Sequence, residues 1–203
     1  MSGAVNGMTT SVDFACNCGA LKGVLHDVSP ATGCHLICYC KDCRAFARHM
    51  GQTDALEPGG GSPLVQVLPA KIEVTEGAQN IACMRMSSKG LHRWYAACCK
   101  TPLANTVGTP KMPLAGMWRP LFAKTDPFGP VVTLGFTKMA LREDGGPRKD
   151  KGLARMMGSL IKRSLSAYMS GTARQSPFFM PDGTPIAQPH VATPAEREAA
   201  YSE

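Results

Sequence analysis

The sequence predicts a mainly β fold with a single C-terminal amphipathic helix, on three observations. The 203 residues include 21 glycines and 16 prolines, a turn-rich composition that suits strands and loops better than a helical bundle. The stretch "CHLICYC" sets Cys34, Leu36, Cys38 and Cys40 against His35, Ile37 and Tyr39, the period of a strand. Between Lys149 and Met169, by contrast, Leu153, Met156, Met157, Leu160, Ile161, Leu165 and Tyr168 recur at helical spacing, with Lys151, Arg155, Lys162 and Arg163 outside the stripe.

Taken in order, residues 1–11 are small and polar and are expected to form a disordered N-terminus. Two short strands are expected between Val12 and Val28, around the turn "CNCG". "KDCRAFARHM" reads as a short helix, and "EPGGGSP" (57–63) as a flexible loop. "LVQVLPAKIEVTEG" supplies two strands separated near Pro69, and "LHRWYAACC" another; "PLFAK" and "VVTLGFTKMAL" are further candidates. The organisation expected is a metal-binding domain over 12–140, a helical extension over 141–171 that packs on the sheet, and an irregular tail over 172–203, which holds five prolines.

The chain starts without a basic region followed by an apolar one, and no apolar run approaches the roughly 20 residues that cross a bilayer. A cytoplasmic protein with no membrane partner is therefore expected. Reducing conditions there make nine cysteines in tight clusters better read as metal ligands than as a disulfide framework. The net charge of +7 and pI near 9.0 allow an anionic partner, which charge alone does not identify.

Zinc takes four tetrahedral ligands at a Zn–S distance of about 2.3 Å, so ligand sulfurs lie roughly 3.8 Å apart. Cys16 and Cys18, like Cys38 and Cys40, sit at i and i+2 of an extended segment and share a side. Cys43, at the start of the short helix, can swing its sulfur back to join Cys38 and Cys40. Cys34 lies four strand residues, about 13 Å, from Cys38 and is out of reach. Three protein ligands with one open position is the pattern of a working zinc, whereas four close the site. Cys16 and Cys18 then need partners from elsewhere, and the Cys98–Cys99 pair can supply them. Neighbours on a regular strand point oppositely, so both can ligate only across a sharp bend, and Cys99 is the firmer of the two.

The motifs Cys16-Asn-Cys18-Gly19, Cys38-Tyr-Cys40-Lys-Asp-Cys43-Arg44 and Cys99-Lys-Thr101-Pro102-Leu103 resemble, in order and spacing, those of the glutathione-dependent formaldehyde-activating enzyme family, which includes the centromere-protein-V-like domains. The resemblance covers roughly residues 12–140. It implies a small zinc-bound β-tent (Mss4-like) fold of packed antiparallel sheets, a structural zinc on Cys16, Cys18 and the late pair, and a second zinc on Cys38, Cys40 and Cys43. The implied activity is that of a carbon–sulfur lyase joining glutathione to formaldehyde. Two departures mark a divergent branch. Ala96 stands where the late motif has its first cysteine, leaving Cys98 to substitute, and Tyr39 stands where histidine is frequent.

Three thiolates leave a divalent ion with a formal charge of about −1, a poor generator of hydroxide but a suitable host for an incoming thiol. The function expected is zinc-dependent, lyase-like action on a thiol adduct of a small aldehyde, with Cys38, Cys40 and Cys43 as the catalytic centre. Lys41, Arg44 and Arg48 are candidates for binding an anionic thiol such as glutathione, although solvated surface charge explains each equally well. His35 and His49 are weaker candidates as proton carriers. The rival reading is a non-catalytic, zinc-stabilised module whose basic surface grips nucleic acid or an acidic protein; 6% aromatic residues and no nucleic-acid motif weigh against nucleic acid. Thiol–disulfide exchange among Cys34, Cys38 and Cys40 ranks last. Self-association is left open.

Overall fold

The computed structural model describes residues 10–123 and 126–202. Its elements run β1 (Thr10–Ala15), β2 (Lys22–Val28), β3 (Cys34–Cys38), α1 (Lys41–His49), β4 (Ser62–Val67), β5 (Ile72–Glu76), β6 (Ile81–Arg85), β7 (His92–Ala96), β8 (Thr101–Thr106), β9 (Ala115–Trp118), β10 (Thr133–Gly135), α2 (Leu153–Met169), β11 (His190–Val191) and α3 (Pro194–Tyr201). Residues 1–9 of the expected disordered terminus lie outside the described residues, and Thr10 and Ser11 already belong to β1.

Two sheets form. The smaller is antiparallel in the order β1-β2-β5; the larger runs β10-β3-β4-β9-β8-β7-β6-β11, antiparallel inside, with parallel strands at both edges. The fold is thus mainly β, as expected. Alternation placed β1 to β5 and β7 well. It did not reveal β6, β8 and β9: β9 has only four residues, and β6 and β8 bury residues on both faces and so do not alternate.

"PLFAK" is not a strand: Pro120 is the second residue of a 3-10 turn over Arg119–Leu121, and Lys124 lies outside the described residues. In "VVTLGFTKMAL" the strand stops after Gly135, because Phe136 adopts φ 60 and opens a 3-10 turn over Thr137–Met139.

The core continues past the expected domain boundary at residue 140. Fully buried Trp94 stacks on Phe178 (centroids 5.0 Å, 21°) and meets Phe179 edge-on (5.7 Å), while its indole N–H donates to Thr106 Oγ1 at 2.9 Å. Residues 172–203, expected to be irregular, therefore fill the core with two phenylalanines, add β11 to β6 and end in a capped helix.

Helix α2 packs by a different stripe from the one the apolar pattern suggests. Leu160, Arg163 and Ala167 are buried, whereas Ile161 and Leu165 are 56% and 59% exposed. Arg163 makes the difference: its guanidinium donates to Gln66 Oε1 at 2.7 Å and to the carbonyls of Gln66 and Thr32 at 3.4 and 3.3 Å, tying the helix to β4. No helix among the described residues is long and apolar enough to cross a membrane.

Candidate metal centres

The four-cysteine group is assembled by two backbone reversals. After β1 the chain turns through Cys16–Gly19, closed by the Gly19 N–H donating to the Cys16 carbonyl at 2.9 Å with Gly19 at φ 75. After β7 it turns through residues 97–100: Lys100 at φ 57 donates to the Ala96 carbonyl at 2.8 Å. Because Cys98 and Cys99 lie within this turn rather than on a strand, both sulfurs reach the same side.

The two turns meet. The sulfurs of Cys16 and Cys18 are 3.6 Å apart, Cys16 and Cys98 3.8 Å, Cys18 and Cys98 3.4 Å, and Cys98 and Cys99 3.8 Å. Those are the edges of a thiolate tetrahedron around a zinc-sized ion, about 3.8 Å, and far longer than a disulfide at about 2.05 Å. Cys99 accepts from the Thr101 hydroxyl at 3.1 Å; this and bonds from its neighbours outweigh burial and bring its thiol down to about 6, while burial and the surrounding thiols push Cys98 up to about 12.

The second group joins the end of β3 to the start of α1. Cys38 closes the strand, Cys40 is the N-cap of α1 with its sulfur accepting from the Cys43 N–H at 3.4 Å, and Cys43 follows in the first turn. The three sulfurs lie within 4.8 Å of one another. Cys34 is not with them: buried on β3, it contacts Thr133 Oγ1 of β10 at 3.5 Å.

Sequence reasoning missed the residue that governs this group's electrostatics. Arg93, on β7, lies in "LHRWYAACC", expected only as a strand, yet it is 2% exposed and donates through Nη1 to Cys43 Sγ at 3.6 Å and to Asn105 Oδ1 at 3.1 Å. Its guanidinium also stands over the Phe46 ring at 5.4 Å. No carboxylate forms an ion pair with it among the described residues. Hydrogen bonds from Cys38 and Cys40, then Arg93, hold the Cys43 thiol well below its ordinary value despite burial. Hydrogen bonds with Cys40 and Cys43 push Cys38 up; Cys40, despite its bond from Cys38, is pushed up to about 12 by Cys43 and burial. Of the three sulfurs, Cys43 is the one that Arg93 touches.

Lys41, Arg44 and Arg48 come together with Ala45, Ala200 and Tyr201 around one cleft of about 330 Å³ between α1 and α3. The cleft is held by Tyr201 Oη donating to Asp42 Oδ1 at 2.5 Å and Arg48 Nη1 donating to the Ser202 carbonyl at 2.7 Å. Arg44, itself buried, donates to the Met139 carbonyl at 3.0 Å and packs over Gly60, where φ is 73 and a Cβ would sit 2.5 Å from Arg44 Cδ. The glycine loop at 57–63 is therefore a seat for Arg44. At about 3.6 residues per turn, the cleft residues occupy the face of α1 opposite Cys43, Phe46 and Ala47. They flank the trio in sequence but turn away from its most buried sulfur.

His35 is engaged with the Gly129 carbonyl at 3.0 Å on the opposite side of β3 from Cys38, and His49 lies in the last turn of α1, six residues beyond Cys43. The structure does not bring them into the trio.

With this geometry in hand, comparison with known proteins places the chain in a family: it belongs to DUF6151, a family of unknown function, which matches residues 8–189. No curated protein matches significantly. Among solved structures, the crystal structure of a Rhodobacter sphaeroides protein from a structural genomics programme superposes with a TM-score of 0.40 at 15% identity, covering 59% of this chain and 96% of that one.

Proposed function

We propose that the protein binds two zinc ions, one closed by Cys16, Cys18, Cys98 and Cys99 and one held by Cys38, Cys40 and Cys43, and that the second serves carbon–sulfur chemistry on a small thiol. The observation that carries this reading is Arg93. A buried guanidinium remains charged and requires a counter-charge. Three thiolates on a divalent ion carry a formal charge of about −1, so that trio and Arg93 together form a neutral buried unit. All-sulfur ligation favours zinc over harder cations, and zinc so held would lower the pKa of an incoming thiol.

In the reaction proposed, the thiol sulfur adds to the carbonyl carbon of a small aldehyde. The C–S bond forms, the carbonyl π pair moves to oxygen, and the thiol proton ends there; the reverse releases both partners. Arg93 would hold Cys43 in place, and the cleft of Lys41, Arg44 and Arg48 would take carboxylates of a glutathione-like thiol reaching over the half-buried Cys40 at the helix N-terminus. The likeness to formaldehyde-activating enzymes supports this reading, and reduced thiols suit a cytoplasmic location.

One observation favours a second reading. The basic cleft faces away from Cys43, as it would in a module whose zincs are both structural and whose cleft grips an acidic partner. Metal analysis of purified protein should give two zinc ions per chain, and Cys40→Ser should stay folded with one zinc while losing formation of the thiol–aldehyde adduct, followed by NMR. One zinc or none in the native protein overturns the two-site proposal. Full adduct formation by Cys40→Ser, or none by the native protein alongside salt-sensitive capture of acidic peptides, decides for the binding module.

A further inference from the structure

Two fully buried polar atoms beside the trio have no hydrogen-bond partner, and their residues line the same space. Ser62, 1% exposed, pairs in register with Cys38 across β3 and β4, yet its Oγ bonds to nothing. Arg93, whose Nη1 reaches Cys43, leaves its Nε unpaired. Both line a cavity of about 10 Å³ with Cys43, Leu64, Asn105 and Gly116.

Left unsatisfied in the core, each such group would bear the full desolvation penalty of a lost hydrogen bond. The space is about what one water needs, and a water needs two or more polar partners. Arg93 Nε can only donate, and the Ser62 hydroxyl both donates and accepts. We infer that this cavity is a binding site for one neutral oxygen ligand, a resident water, which accepts from Arg93 Nε and exchanges a hydrogen bond with Ser62 Oγ.

The water makes Arg93 a positioning residue with its donors divided: Nη1 on Cys43 and Asn105, Nε on the water. The guanidinium is thereby fixed against the sulfur rather than swinging toward Ser62. The site holds whether or not metal occupies the trio, so it stands apart from the proposed function.

Ser62→Ala reports on the cavity by the sign of its effect: it removes a costly orphan from an empty cavity, but a water's partner from a filled one. The expected result, with metal-loaded protein, is a fall of about 2–4 °C in melting temperature. A crystal structure of the native protein should show one ordered oxygen within hydrogen-bond distance of Arg93 Nε and Ser62 Oγ. A rise in the melting temperature of Ser62→Ala, or a cavity free of ordered solvent, overturns the inference.

Discussion

Arg93 shows how one residue can set the charge state of its surroundings. A thiol could sit in this core neutral, but a guanidinium cannot shed its proton, so its burial demands an anion, and Cys43 is the group it touches. Arg93→Met should therefore leave the thiolate trio unbalanced and Asn105 without its donor. Breaking a buried pair in this way costs about 3–5 kcal/mol; urea unfolding of metal-loaded protein should show a loss of that order, with weaker metal retention by the trio. A loss under about 1 kcal/mol would mean that the trio is not charged. Here the sequence was only partly legible. Cysteine spacing identified all seven clustered sulfurs, because ligand geometry limits how far apart in sequence local ligands can be. Arg93 escaped because its partner is 50 residues away, and nothing local distinguishes a buried arginine from a solvated one.

At the scale of elements, periodicity finds a helix more readily than the face by which it packs. On α2 the apolar residues span more than one stripe, and the contacts of Arg163 with Gln66 and Thr32 rotate Leu160 and Ala167 inward while Ile161 and Leu165 face out. Leu160→Ala should accordingly cost about 2–5 kcal/mol, and Leu165→Ala less than about 0.5 kcal/mol, by denaturant unfolding; comparable losses would mean that the outer stripe is also covered. Helix α3 was legible in principle. "TPAE" is a capping box with proline at the first helical position, and the structure forms it, Thr193 Oγ1 accepting from the Glu196 N–H at 3.2 Å and Glu196 Oε2 from the Thr193 N–H at 2.7 Å. The surrounding prolines masked that signal. The Thr193 N–H, then His190, lower Glu196 from 4.5 to about 2. Its folded value is depressed, so its contribution is complete above pH 4.5 and lost as the pH falls through about 2. Amide exchange in α3 should accelerate across that window, and Glu196→Gln should flatten the dependence.

For the molecule as a whole, the two thiol groups hold different levels of structure together. Cys16 and Cys18 close the β1–β2 turn of the small sheet, and Cys98 and Cys99 the β7–β8 turn of the large one, so the four-cysteine group joins two sheets across about 80 residues of chain. The trio, by contrast, ties β3 to α1, neighbours already held by the helix cap and by Phe46 and Ala47 in the core. Apparent zinc-binding free energies of about 10–16 kcal/mol in small peptides match or exceed the net stability of a domain, about 5–15 kcal/mol, so a zinc held by these four cysteines would be worth as much as the rest of the fold. Cys18→Ser should unfold the protein, or lower its melting temperature by far more than Cys40→Ser, although Cys18 is the more exposed of the two. Stepwise chelation should release one ion with the circular dichroism unchanged and the second together with the β signal. Simultaneous loss of both ions, or a folded Cys18→Ser protein that retains two, would show that the sheets cohere without the metal, leaving the core around Trp94 and Phe178 to hold them together.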